Sequence, residues 1–160
     1  MQYKGYEDTD LIPELKEYKE LNGEDFSIDR WLSCNITTEL FIGYLDLFYP
    51  EFEEYLGGVF FEGIEEVKKR FNPVRGFDKN EFEGVQRLYN HQHILDFFIG
   101  SDSHSTISPI QVEFIGKTLC KVWAMKLKQD FPHLDTRVEL YDLDSEYLDD
   151  VQITFWAEAK

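Results

Sequence analysis

The stretch 108-SPIQVEFIGKTLCKVWAMKLKQDF-131 decides how the rest of the chain must be arranged. Ser108 is a good N-cap, and Pro109 suits the first helical position, where the missing N–H would have no intrahelical partner anyway. Pro132 ends the run. Between them, apolar side chains from Ile110 and Val112 through Leu119 and Trp123 to Leu127 and Phe131 fall on nearly every side. Lys117, Lys121 and Lys128 recur at spacings of 4 and 7 and draw one narrow polar stripe. A helix apolar over most of its circumference is buried or packed on two sides, so a core helix is predicted over 108–131.

After Pro132 the hydrophobic period changes from 3.6 to 2. Val138 and Leu140 alternate with Glu139 and Tyr141; Val151, Ile153, Phe155 and Ala157 alternate with Gln152, Thr154, Trp156 and Glu158. Two antiparallel strands are predicted, at about 137–142 and 150–158. An isolated strand pair is marginal in water, so this one must pack on the long helix.

Upstream the patterns are helical. Leu11, Leu15, Tyr18 and Leu21 define a short amphipathic helix stopped by Asn22-Gly23, and Ser27 caps a second piece in which Trp31 and Leu32 face inward. Thr37 or Thr38 opens LFIGYLDLFY, read as a helix with Leu40, Tyr44, Leu47 and Phe48 on its inner side. Pro50 starts PEFEEYL, a helix with acids in its first turn and Gly57 at its end, or else the first strand of a hairpin around Gly57-Gly58; both fit locally. Residues 62–71, EGIEEVKKRF, run from acid to base along a dipole-matched helix, and 72–76, NPVRG, read as an interhelix turn. Asp78 and Glu81 form a capping box ahead of a helix expected over 79–99. The whole is an α+β fold in one domain, 1–160: a mostly helical N-terminal two-thirds, then the long buried helix, then the strand pair.

The formal net charge is −16. Residues 1–72 carry 7 Lys/Arg against 17 Asp/Glu, residues 73–132 carry 7 against 7, and residues 133–160 carry 2 against 8. The negative field comes from the two ends of the chain. It repels nucleic-acid phosphates and anionic lipid surfaces, both of which are bound through Lys/Arg, so neither is an expected partner. A basic protein is the electrostatic complement. The N-terminal MQYKGYEDTD has neither a basic nor an apolar leader segment, and no apolar run approaches the ~20 residues of a membrane span, so a cytoplasmic location is expected. Cys34 and Cys120 read as two buried free thiols of a reducing compartment.

Two clusters could carry function. Asp142, Asp144, Glu146, Asp149 and Asp150 lie between the strands, interleaved with Tyr141, Leu143, Tyr147 and Leu148. They do not make a calcium loop, since the sixth position from Asp142 is Tyr147 where glycine is needed and the twelfth is Ile153 where glutamate is needed. Acids mixed with apolar anchors suit a protein interface, and Glu51, Glu53, Glu54 and Tyr55 have the same texture. The partner-binding set is therefore Asp142, Asp144, Glu146, Tyr147, Asp149 and Asp150 with Glu51, Glu53, Glu54 and Tyr55. The expected function is a non-enzymatic acidic interaction domain that neutralises a basic protein, as an immunity protein or inhibitor does for a nuclease toxin.

The alternative is a small metal-dependent hydrolase or metal-binding protein. His93 and Asp96 share a face if the helix runs to Ile99, and His104 could complete the set, whereas His91 would point about 160° away. No phosphate-binding glycine loop, dinucleotide fingerprint or His-Glu-x-x-His motif occurs, so no cofactor is expected.

Overall fold

The computed structural model describes residues 8–71, 78–100 and 106–158. Its elements, in order, are α1 (Asp8–Leu11), α2 (Leu15–Asn22), α3 (Ile28–Asn35), α4 (Thr38–Phe48), β1 (Phe52–Tyr55), β2 (Gly58–Phe61), α5 (Glu65–Arg70), α6 (Lys79–Tyr89), β3 (Gln92–His93), α7 (Pro109–Asp130), β4 (Thr136–Tyr141) and β5 (Gln152–Ala157). The fold is α+β, with the long helix followed by the C-terminal strand pair as the sequence indicates. The segment 72–76 and His104 lie outside the described residues.

Ser108 and Gln111 cap α7 reciprocally: Gln111 N donates to the Ser108 hydroxyl, and Ser108 N donates to Gln111 Oε1 at 2.8 Å. The Gln111 amide then donates to Leu11 O at 2.8 Å, which ties α1 to the start of the helix. Although α7 is apolar nearly all round, its buried side chains form one stripe, Val112, Gly116, Leu119, Trp123, Lys126 and Leu127. Met125 is exposed. Gly116 lets β4 approach, because a Cβ there would stand 2.7 Å from Leu140 Cδ1. Lys126, which is not part of the polar stripe, is buried; its ammonium sits 4.2 Å from the Tyr49 ring centre and 2.8 Å from Asp130 Oδ2.

β5 is the central strand of a three-stranded sheet in the order β3-β5-β4. It pairs with β4 from Thr136↔Ala157 to Tyr141↔Gln152, and with β3 over two residues only. Both faces of β5 are covered. Phe155 meets Phe52, Phe61 and Trp123, whereas Thr154 donates to Arg87 O at 2.8 Å and Trp156 lies under the Arg87 guanidinium at 4.1 Å. Thus Thr154 and Trp156, which alternation alone marks as the outer face, are covered by α6.

The residues after Pro50 adopt the hairpin. Leu56 and Gly57 both have positive φ, at 53° and 79°, the backbone a two-residue hairpin turn requires. The burial of β2 explains the choice: Val59 packs into the main core with Ile94, Leu119, Trp123 and Phe155, while Phe60 packs into a second cluster with Ile64, Val67, Phe71, Phe82 and Val85. Two adjacent residues buried on opposite sides fit a strand, with its period of 2, and not a helix.

α6 ends at Tyr89, ten residues short of the expected end, because the amides that follow are used elsewhere. The Asn90 side chain donates to Val59 O at 2.8 Å and to Phe155 O at 2.9 Å. Gln92 and His93 then pair with β5, and Ile94 and Leu95 are buried from a 3-10 turn, Ile94–Phe98. The N-terminal helix splits at Pro13, which leaves Leu11 and Leu15 buried but Leu21 exposed.

Candidate functional site

The connection between β4 and β5 is an ordered turn that displays carboxylates. Asp142 takes positive φ, 61°, and its carbonyl accepts from Ser145 N at 3.0 Å. The Ser145 hydroxyl donates to Asp150 Oδ2 at 2.6 Å and accepts from Tyr147 N at 3.1 Å. Leu148 turns inward onto the core. His93 Nδ1 donates to Asp149 O at 2.6 Å and pins the returning arm. Asp142, Asp144, Glu146, Asp149 and Asp150 are all exposed, and Tyr147 is 69% exposed between them. Among the described residues no lysine or arginine pairs with any of these five acids.

The second predicted set is used largely inside the fold. Glu53 pairs with Lys68 at 2.9 Å, Glu54 accepts from His133 Nε2 at 2.8 Å, and the Tyr55 hydroxyl donates to Phe71 O at 2.6 Å. Glu51 stays exposed. The two sets are also apart. The loop closes the Tyr141/Gln152 end of the β4–β5 pair, whereas His133, which holds Glu54, precedes its Thr136/Ala157 end. Six strand residues put roughly 17 Å between those ends.

His93 and Asp96 do not share a helical face, because α6 has already ended: His93 lies in β3 and Asp96 is exposed in the 3-10 turn. His91 and His93 stack edge to face with ring centres 5.7 Å apart. Among the described residues no group of three His, Cys, Asp or Glu is placed to hold a metal ion. Cys34, expected inside, is exposed; Cys120 is half-buried, and both are free thiols. Burial, and after it the charge of Glu139, pushes the Cys120 thiol up to about 11. Lys117 and Lys126 are matched by acids on their own helix, Glu113 and Asp130.

The surface that sequence reasoning missed is α4. Leu40, Phe41, Ile42 and Leu45 are each more than half exposed, and Tyr44 and Tyr49 nearly so. Only Leu47 and Phe48, at the end of the helix, pack on the core, where Leu47 O accepts from Trp123 Nε1 at 3.0 Å. No residue from Asp25 to Gly57 is buried. An apolar stretch reads the same in sequence whether it faces a core or water. A cavity of about 720 Å³ also opens between α1 and the start of α7, with walls that include Ile28, Ile110 and Phe114 and with Asp8, Asp10 and Glu14 at its edge.

No family model matches the chain, and comparison with curated proteins and with solved structures gives no significant match. Among the described residues, no helix is long and apolar enough to cross a membrane.

Proposed function

We propose that the chain is an acidic protein–protein interaction domain acting in the cytoplasm, which neutralises a basic protein as an immunity protein or inhibitor does for a nuclease toxin. The observation that supports this reading is the β4–β5 turn: five exposed carboxylates that no lysine or arginine among the described residues pairs with, in a turn ordered by its own hydrogen bonds around an exposed tyrosine. Carboxylates left unpaired in the free protein are available to steer a basic partner and to pair with it across an interface, and a tyrosine among them supplies apolar contact at low entropic cost.

The test is capture of partners from the native cell on immobilised wild-type protein and on a variant with Asp142, Asp144, Asp149 and Asp150 changed to Asn and Glu146 to Gln. The reading requires a basic protein retained by the wild type at low salt, released as salt rises, and lost by the variant. Recovery of the same proteins on both, at either salt, would defeat it.

A further inference from the structure

The apolar residues of α4 are arranged as a contact face. With 3.6 residues per turn, Phe41, Ile42 and Leu45 fall on the side opposite Leu47, the residue that anchors the helix to α7. Phe41, Ile42 and Leu45, each just over half exposed, leave roughly 300 Å² of apolar surface in water, the size of the largest apolar patch on many monomers and often a functional one. That is enough for the apolar centre of an interface of standard size, which takes about 800 Å² from each partner. The helix is held at its last turn, where Leu47 O accepts from Trp123 and Lys126 lies over Tyr49.

The charge around the face selects its occupant. Glu39 and Asp46, on the flank of α4 beside this face, are both exposed, and among the described residues neither has an ion-pair partner. Arg30 is the only lysine or arginine between Ile28 and Glu51. A second copy docking face to face would set these two acids against the same two. A partner whose apolar patch is flanked by Lys and Arg meets opposite charge along that edge.

We propose that the exposed face of α4, centred on Phe41 and Leu45, is the docking site for the apolar patch of a basic protein. The proposal rests on the interaction reading above and adds the place where the contact is made: the β4–β5 turn attracts, and α4 supplies the apolar contact.

The probe is a synthetic amphipathic helix of leucine and lysine, with a leucine–glutamate peptide of the same pattern as control, followed by fluorescence anisotropy. The test variant is the double change Phe41→Ser and Leu45→Ser, which alters no charge and touches no buried residue; Leu88→Ser removes an exposed leucine elsewhere. The lysine peptide is expected to bind the wild type and Leu88→Ser alike, and the double variant about tenfold or more weakly, while the glutamate peptide binds none. Equal binding to wild type and double variant overturns the proposal, as does no binding to the wild type. If that equal binding is lost when the turn's acids are neutralised, the acidic interaction reading stands and only the role of α4 falls. If sedimentation shows a wild-type dimer that the double variant dissolves, the occupant is a second copy and the proposal is wrong.

Discussion

Gln86 on α6 and Asn90 at its C-terminal cap, one turn apart, join β2 to β5 where no backbone ladder does. Gln86 Oε1 accepts from Val59 N and from Ala157 N, each at 2.9 Å, and Asn90 donates to Val59 O at 2.8 Å and to Phe155 O at 2.9 Å. Both side chains are buried. Two side-chain amides thus stand in for the missing pairing between the two sheets.

Replacing Gln86 with Leu keeps the volume and removes the acceptor, which leaves two buried backbone N–H groups without a partner. At about 1–3 kcal/mol for each orphaned group, the variant should lose roughly 2–6 kcal/mol. The shift of the urea midpoint at unchanged m-value measures this; a loss below 1 kcal/mol would mean that water replaces the amide.

Gly58 is required by the same contact. A Cβ at this position would stand 2.7 Å from Gln86 Cδ and 2.8 Å from Phe82 Cε1. Gly58→Ala is expected to destabilise by about 1–3 kcal/mol. In a Gln86→Ala background much of that loss should vanish, so a double-mutant cycle should give a coupling of at least about 0.5 kcal/mol.

Lys126 gives a pH signature. Burial alone would lower its pKa, but the hydrogen bond and charge of Asp130, helped by Glu51 and Tyr49, outweigh burial and hold it above its ordinary 10.5. A lysine raised in this way contributes stability that is complete below the unfolded value and is lost as pH rises through the folded one. The stability difference between wild type and Lys126→Met should therefore be flat through neutral pH and change only above about 10.5. A change confined to acid pH would contradict it.

The two thiols should separate in chemical labelling. Cys34 is exposed, whereas Cys120 is half-buried with its thiol raised to about 11, so little of it is thiolate near neutrality. At pH 8 one thiol should react promptly and the other at least about a hundredfold more slowly. Cys34→Ser should remove the fast phase.

The features legible in the sequence were those with local causes. Ser108, Pro109 and Pro132 delimit α7 by capping chemistry, and β4 and β5 show the period of 2. The hairpin was not decidable locally, since Gly57-Gly58 serves a helix end and a turn equally well; the decision came from Val59 and Phe60 entering different clusters. The end of α6 was hidden because the bonds of Asn90 reach residues 31 and 65 positions away. Within the candidate site, the exposed acids of the β4–β5 turn were legible as a polar loop. Glu54 and Tyr55 were not, because they are held by His133 and Phe71, 79 and 16 positions away. The exposure of α4 could not be read from its composition.

β2 has a consequence for how the molecule comes apart. Its Val59 side faces one apolar cluster and its Phe60 side the other, and its Val59 amide is held by α6. A strand that lines two compartments cannot peel away from one without flooding the other. The amides of Val59 and Ala157, both tied to Gln86, should therefore exchange with solvent only through the largest opening event, and at the same free energy. By the same reasoning α4, which lines neither compartment except through Leu47 and Phe48, can fray at its exposed start while that seal stays shut.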